Sequence, residues 1–438
     1  MRVLIANDID LFERSDPRAW AQRAFWFVEE GDVVILSDAP DQDFLDHVGK
    51  TIGVDMARVS INISPEGRFG RRQIDPFSLL DEGFTESISR QLGDVSEIFP
   101  LFPSAQLGEF ASRLGLAEHL PGASFFAQGG SALVNSKATF RAIASGTGVQ
   151  IAPGSVCWSP TEAAHAMQSV IDTGHDVMVK KTQHGGAAGN EIVLRAGSRL
   201  PTNIGGRHFH YLNAADGVAR YWSDRWRWAS ADGVHPVAVE RLLNVLTSCY
   251  AEFKVTDAGV ELGSAGSLTY IERLLACDTL IPNSRAATQY SPLITDSEKL
   301  AHAYHSIGYR GRLCADAVIT AGGEIVFTEV NARTTTSTHL YEVLRDRIVE
   351  PAFSTRTIKQ IAAAATWEPV TTGAFLSAIQ AAGLAYDPVD RQGILMTMPV
   401  PPGEGSKGFL YILVYRSPAD EEAYINELDR LFSAHSGR

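Results

Sequence analysis

Two carboxylates and an amide that could hold a metal ion lie in one stretch of the chain, residues 312–333. The glycine pair at 322–323 separates two β-rich runs, which predicts a β-hairpin. In that hairpin Asp316 lies opposite Glu329. Asn331 shares their face, because side chains alternate along a strand with a period of two. Directly opposed carboxylates repel each other, since their Cβ atoms are only roughly 4.5–5.5 Å apart.

This oxygen-only donor set is suited to Mg²⁺, which would cancel the repulsion. The alternative is a solvated polar face on an edge hairpin. The predicted register pairs Thr320 with Ile325 and places Val318 and Phe327 between the polar positions. Because two apolar side chains are not expected on a solvated polar face, we favour the metal site.

Lysines and glycines that could hold phosphates lie upstream of the hairpin. Lys137 falls in the first turn of a helix predicted over 138–145, where backbone N–H groups favour an anion. Taken alone, it is better explained as an exposed lysine. Lys180 closes a short apolar strand that runs into the loop 184–190, HGGAAGN. Such a loop between two strands can wrap phosphates with its backbone amides, but it is not a Walker A loop, because no GK[ST] follows.

Composition restricts the class of protein. The 438 residues are 45% hydrophobic and 20% charged, which is typical of a globular protein of several domains. The net charge of −13 argues against a general binder of nucleic acid or anionic membranes. We find neither a signal peptide nor an apolar run approaching the ~18 residues of a membrane span. The four cysteines are far apart, which indicates reduced thiols and a cytoplasmic protein.

The pattern of elements predicts an α/β and α+β multidomain protein. Apolar runs at 3–6 and 33–36 flank a helical stretch at 19–30, a βαβ pattern that implies a parallel sheet. No GxGxxG turn accompanies it, so the pattern does not imply a dinucleotide. From about residue 351 the chain reads as a small α+β segment that ends in a helix capped by Ser417.

Two further segments leave alternatives open. The run at 221–228 interleaves Trp and Arg, so binding of single-stranded nucleic acid has to be weighed, although packing within a lid subdomain is favoured. The segments 237–243 and 267–275 both contain Glu-Arg-Leu-Leu, and both could be strands. The first could equally begin an amphipathic helix.

In their order and spacing these motifs resemble the ATP-grasp superfamily of carboxylate–amine ligases. The strand 177–180 with its glycine loop, Asp316 and the ExNxR sequence at 329–333 carry the resemblance, which covers about residues 130–345. It implies an ATP-grasp fold with three parts. These are an N-terminal Rossmann-like pre-ATP-grasp domain, an ATP-grasp domain with a lid subdomain, and a small C-terminal α+β domain, at residues 1–125, 126–350 (lid about 150–240) and 351–438.

The resemblance also implies the cofactors ATP and Mg²⁺ and the residues that would hold them. The metal ligands would be Asp316, Glu329 and Asn331. The nucleotide would be bound by phosphate-holding lysines, by the lid loop and by an adenine hinge: Lys137, Lys180, His184, Gly185, Gly186, Gly189, Glu240, Arg241 and Leu243. In the hinge, backbone groups of Arg241 and Leu243 would contact the adenine edge. Arg333 and Lys180 would act directly on the reacting groups.

The implied reaction forms a peptide bond. A carboxylate takes the γ-phosphate of ATP to give an acyl phosphate and ADP, and an amine then displaces phosphate. The resemblance implies a small-molecule donor, a nonproteinogenic amino acid with an N-guanidino group, and a peptide α-amine as acceptor, in peptide antibiotic biosynthesis. A homodimer stays open. The alternatives are a ligase for another acid and amine, a small-molecule kinase, and a nucleotide-binding protein without turnover.

Overall fold

The computed structural model describes residues 1–7, 17–183, 187–212, 217–282, 288, 290–350, 352–401 and 409–433. Its strands, in chain order, are β1 (Arg2–Ile5), β2 (Val33–Leu36), β3 (Ser60–Ile63), β4 (Glu97–Pro100), β5 (Gly154–Cys157), β6 (Val177–Lys181), β7 (Asn190–Arg195), β8 (His208–Leu212), β9 (Val237–Arg241), β10 (Val245–Thr256), β11 (Gly259–Ile271), β12 (Leu274–Ile281), β13 (Gly311–Thr320), β14 (Ile325–Asn331), β15 (Thr357–Ala362), β16 (Gly393–Met396) and β17 (Leu410–Tyr415).

The α-helices are α1 (Pro17–Ala21), α2 (Gln42–Ile52), α3 (Glu82–Ser89), α4 (Ala105–Arg113), α5 (Ala123–Ala127), α6 (Gly130–Val134), α7 (Lys137–Gly146), α8 (Pro160–Asp172), α9 (Gly217–Ala229), α10 (Ser291–Ser306), α11 (Thr372–Ala381) and α12 (Pro418–Phe432). Short 3₁₀ turns lie at Gln22–Phe27, Met56–Arg58, Ser78–Leu80, Ala117–His119, Ala187–Gly189 and Ala352–Thr355, and a π-helix spans Leu340–Val349. Among the described helices, none is both long and apolar enough to cross a membrane.

The chain forms two compact units, the first comprising residues 1–129, 277–282 and 333–438, the second residues 130–276 and 283–332. In the first unit the predicted parallel sheet is present, with the strand order β3-β2-β1-β4. All four residues of β2 are buried, as expected for a strand covered on both faces.

The C-terminal residues belong to the same unit as the N-terminal ones. Strands β15, β17 and β16 pair antiparallel, and β15 also pairs with residues 277–279 of β12. Their apolar side chains share one hydrophobic cluster with those of β1, β2 and α2. The predicted division at 125 and 350 stays a prediction, but residues 351–438 do not have a core to themselves.

The helix predicted over 19–30 is replaced by α1 and a 3₁₀ turn. Phe25, Trp26 and Phe27 follow one another and are all buried. A regular amphipathic helix buries only one stripe of its surface, so it could not cover three consecutive aromatic residues. The final helix is confirmed, because Ser417 caps α12 and forms a capping box with Asp420.

The second unit contains an antiparallel arrangement of strands and a mixed sheet, in which β7 and β8 pair parallel. Strands β14-β13-β10-β11 pair in that order, with α10 packed against them. The other sheet has the order β5-β9-β6-β7-β8. The segment 237–243, for which a strand and a helix were both open, supplies β9. The predicted Trp-rich run forms α9, where Tyr221 and Trp222 pack into the core of this sheet.

The acidic hairpin is present, but its predicted register is wrong near the turn. Ile319 pairs with Ile325, one residue away from the predicted Thr320 partner, because the loop has three residues. The Thr320 N–H closes it by donating to the Glu324 carbonyl at 2.9 Å, and Gly323 adopts a φ of 83°.

A β-bulge restores the predicted pairing at the acidic end. Ala317 pairs with Phe327, whereas Asp316 pairs with Glu329, so Thr328 is an extra residue in β14. Phe327 therefore lies on the face opposite to Asp316. The predicted register, which had no bulge, had placed both residues on the same face.

Two histidines of the first unit lie in a poorly solvated environment: His339 is buried and His47 is half-buried. The His47 Nε2 accepts the Met396 N–H at 3.1 Å, and burial lowers the pKa of His47 to about 4. His339 stacks on Trp26, and within the described residues neither of its ring nitrogens has a hydrogen-bond partner. Burial, together with the charge of Arg23, lowers the pKa of His339 to about 3.

These histidines should make the fold sensitive to acid. Between pH 6.5 and 4.5 the unfolded chain takes up protons that the folded His339 does not, so stability falls as pH falls. We expect His339→Phe to remove on the order of 2–3 kcal/mol of this loss, since each pKa unit is worth about 1.4 kcal/mol. Urea unfolding of the wild type and of His339→Phe at pH 6.5 and 4.5 measures the free energy of unfolding. An unchanged pH dependence of stability in His339→Phe would contradict the prediction.

Candidate functional site

Helix α7 presents two cations on one face. Lys137 and Arg141 are four residues apart, which places them one above the other. Both side chains are buried. The Ser136 hydroxyl accepts the Thr139 N–H at 3.4 Å and so begins the helix directly before Lys137. The alternative of an exposed Lys137 is excluded.

Lys137 contacts the acidic hairpin. Its Nζ lies 2.7 Å from Glu329 Oε2. Glu329 lies opposite Asp316 in the strand pairing, and the Asn331 Nδ2 donates to Asp316 Oδ2 at 2.8 Å. The sequence-predicted metal ligands are thus brought together on one face, with Lys137 added to them.

The charge on Asp316 is strongly disfavoured in this arrangement. Burial raises the pKa of Asp316 well above its usual range, and the neighbouring carboxylates of Glu329 and Glu252 raise it further. The Cys314 thiol, 3.3 Å from Asp316 Oδ1, opposes this shift by hydrogen bonding. The protonated form of Asp316 is therefore favoured in this structure, and a cation bound at this face would favour the ionised form.

The donor set fits Mg²⁺. It consists of two carboxylates and an amide, hard oxygen ligands of the kind that share Mg²⁺ with substrate phosphates. In this structure the Lys137 ammonium group supplies the positive charge next to Glu329. Within the described ranges, no group of three or more His, Cys, Asp or Glu residues forms a complete metal cage. Binding of Mg²⁺ by Asp316, Glu329 and Asn331 stays a prediction.

A second charge cluster lies on the five-stranded sheet. Glu240 Oε1 accepts from Arg141 Nη1 at 2.7 Å, and Glu240 Oε2 is 2.8 Å from Lys180 Nζ. Arg141 also donates to the carbonyls of Ala152 and Gly154, at 3.1 and 3.0 Å. Glu240 was predicted to face the nucleotide, but both of its oxygens are bound to these two cations.

The strand register explains why Lys180 meets Glu240. Glu240 lies opposite Met178 in the pairing of β6 with β9, so Lys180 is its diagonal neighbour on the same face. Val177 and Val179, on the other face, pack into the cluster formed with α8 and α9. The alternation therefore directs both charges away from the helices.

Lys180 also connects the two sheets of the second unit. Its Nζ donates to the Thr328 carbonyl at 3.3 Å. Thr328 is the extra residue of the β-bulge. The bulge thus has two effects, because it sets Asp316 opposite Glu329 and offers a carbonyl to Lys180.

The adenine hinge predicted at Arg241 and Leu243 lies at the end of β9 and directly after it, and its contact with a nucleotide stays a prediction. The Arg241 N–H donates to the Pro153 carbonyl at 2.8 Å, so this N–H is already occupied. The predicted contact of Arg241 with the adenine would therefore have to use its carbonyl. Pro153 has no N–H to give in return. Leu243 packs against the small apolar cluster of Ala152, Val318 and Val326.

The remaining predicted residues fall into two groups. His184, Gly185 and Gly186 lie outside the described residues, whereas Gly189 ends the 3₁₀ turn before β7. Arg333 belongs to the first unit, and its guanidinium carbon lies 5.4 Å from the centre of the Phe102 ring.

Sequence reasoning missed Arg141 and Glu252. The spacing of four between Lys137 and Arg141 was a signal for the first, because such residues share a helix face. Glu252 is buried on β10, two positions beyond Tyr250, which pairs with Asp316. No local motif marks it, and only the three-strand register brings it near the hairpin.

Comparison with known proteins identifies the fold. Residues 21–116 match the family model of the pre ATP-grasp domain, and no curated protein sequence matches the chain. The chain is similar in structure to N5-carboxyaminoimidazole synthetase from Staphylococcus aureus complexed with ADP (11% identity, 98% of this chain and 97% of that one, TM-score 0.55). It is also similar to biotin carboxylase from Campylobacter jejuni as a β,γ-ATP complex (13%, 98% and 91%, 0.59) and to L-amino acid ligase from Bacillus licheniformis (12%, 100% and 98%, 0.55).

These likenesses extend over nearly the whole of each chain, and at such low identity they establish the fold alone. The expected fold class is confirmed. The chain has the ATP-grasp fold, with a pre-ATP-grasp domain in its N-terminal part.

Proposed function

We propose that this protein is an ATP-dependent carboxylate–amine ligase that releases ADP and phosphate. The observation that carries the proposal is the grouping of Lys137 and Lys180 with Asp316, Glu329 and Asn331 in the second unit. Cations for phosphates and oxygen ligands for Mg²⁺ are the two requirements of phosphoryl transfer from ATP.

The chain's own residues divide the work. Lys137 and Lys180 neutralise phosphate oxygens of the nucleotide, and the Arg241 carbonyl with the Leu243 N–H bind the adenine edge. The loop at 184–190 is proposed to cover the terminal phosphate. Asp316, Glu329 and Asn331 of the acidic hairpin would hold Mg²⁺, which would supply positive charge at the phosphate oxygens.

The proposed reaction has two steps. A carboxylate oxygen of the donor attacks the γ-phosphorus, the bond from that phosphorus to the bridging oxygen breaks, and ADP leaves. The acceptor nitrogen then attacks the acyl carbon, loses a proton, and the carbon–oxygen bond to phosphate breaks. Arg333 is proposed to hold the donor's carboxylate and then its acyl phosphate by paired N–H donation.

For the substrates, we propose a nonproteinogenic amino acid with an N-guanidino group as donor and a peptide α-amine as acceptor. This finer proposal is supported by the sequence, which resembles the pheganomycin peptide ligase, and by the likeness in fold to an L-amino acid ligase. The likeness in fold to a biotin carboxylase domain that was solved with MgADP and bicarbonate supports a second candidate donor, bicarbonate, which would be activated as carboxyphosphate.

The reaction class can be tested by trapping the intermediate. With ATP, Mg²⁺ and a panel of amino acids, hydroxylamine should give an acyl hydroxamate together with ADP and phosphate, as measured by mass spectrometry. Bicarbonate in place of the amino acid tests the second candidate. Formation of AMP and pyrophosphate would refute the ligase proposal, and a stable phosphorylated alcohol would identify a kinase.

The metal assignment makes a separate prediction. Glu329→Gln should lower ADP release at least 100-fold, because it removes one of two carboxylates facing the cation, and should leave the circular dichroism spectrum unchanged. The matched control is Glu324→Gln, at the exposed turn of the same hairpin, with expected activity within about twofold of wild type. Activity near wild type in Glu329→Gln would show that Glu329 is not a ligand.

A further inference from the structure

Arg141 has no role in the reaction described so far, although it is buried and hydrogen-bonded. It is 6% exposed and makes three hydrogen bonds, one to Glu240 and two to backbone carbonyls. Glu240 and Lys180, the other members of its cluster, are 3% and 5% exposed. Burial of an ion cluster this deep is costly unless each charge has a partner.

The cluster has an excess of one positive charge. Arg141 and Lys180 are two cations that share the single carboxylate of Glu240. The guanidinium remains charged under all ordinary conditions, so it cannot lose a proton to relieve this excess. An anion next to the cluster would balance it.

The two cations are held to different degrees. Arg141 is fixed by the carbonyls of Ala152 and Gly154 as well as by Glu240. Apart from its ion pair, Lys180 has one long hydrogen bond, 3.3 Å to the Thr328 carbonyl. Lys180 is therefore the member that can turn to an arriving phosphate, while Glu240 keeps Arg141 as its counter-ion.

We propose that Arg141 is a positioning residue that neutralises Glu240 and thereby leaves the charge of Lys180 available to the nucleotide phosphates. This inference rests on the proposed function. Without Arg141, Glu240 would be left with Lys180 as its counter-ion and would hold it in a neutral pair. The affinity for a phosphate would then fall, whereas contacts to the adenine and ribose would be preserved.

Comparison of ADP with adenosine tests this partition of charge. In Arg141→Met, measured with the full chain and Mg²⁺, the dissociation constant for ADP should rise at least tenfold, while that for adenosine should change less than about twofold. Titration calorimetry gives the dissociation constant for ADP, and competition with ADP gives that for adenosine. Equal losses for both ligands, or no loss for ADP, would overturn the proposal, because a purely structural role does not distinguish them.

Two further variants guard against a folding defect. Arg141→Lys keeps a counter-ion for Glu240, so its ADP affinity should lie between those of wild type and Arg141→Met; an affinity no better than that of Arg141→Met contradicts the proposal. If Arg141→Met does not fold, Arg141→Lys alone tests the proposal, because its affinity for ADP should be lower than that of the wild type. Arg2→Met is the matched control, because it breaks a pair with the buried Asp32 in the first unit. It should lower stability without changing ADP binding.

The outcomes separate this inference from the proposed function. If the wild-type protein does not bind ADP, both fail. If it binds ADP and Arg141→Met binds equally well, only the role of Arg141 fails.

Discussion

The balance of buried charge around α7 constrains the whole second unit. Lys137 and Arg141 extend from one helix face to carboxylates on different sheets, Glu329 on β14 and Glu240 on β9. Removing one partner of a buried ion pair typically costs 3–5 kcal/mol, because the other charge is then left unpaired. The helix therefore fixes the five-stranded sheet and the acidic hairpin relative to each other within this unit.

This arrangement explains how a site can carry buried cations before its ligand arrives. In the structure each lysine proposed to bind phosphate is paired with a carboxylate, Lys137 with Glu329 and Lys180 with Glu240. Mg²⁺ would replace Lys137 as the partner of Glu329, and a phosphate would replace Glu329 as the partner of Lys137. The exchange is close to neutral in charge, which keeps its cost low in a poorly solvated interior.

The β-bulge at Thr328 shows how one residue of backbone can serve two requirements. The three-residue turn shifts the hairpin by one position, which by itself would put Asp316 and Glu329 out of line. The extra residue corrects the shift and provides a carbonyl to Lys180. A bulge that redirects side chains beside a functional site is a common use of this feature.

The sequence alone determined the elements whose signals are local. The alternation of side chains with a period of two put Asp316, Glu329 and Asn331 on one face, and the position of Lys137 in a first helical turn followed from its neighbours. The motif order was enough for the ATP-grasp fold. A strand and a helix could not be distinguished at 237–243, because both periods fit so short an apolar run.

Only the tertiary structure decided which charges meet. The exact turn length and the compensating bulge depend on backbone hydrogen bonds that no residue pattern encodes. The pairing of Arg141 with Glu240 joins positions 99 residues apart, and it exists because helix and sheet pack around a shared interior in which no charge can be left without a partner. Local periodicity fixes the face on which a side chain lies, whereas its partner is fixed by long-range packing.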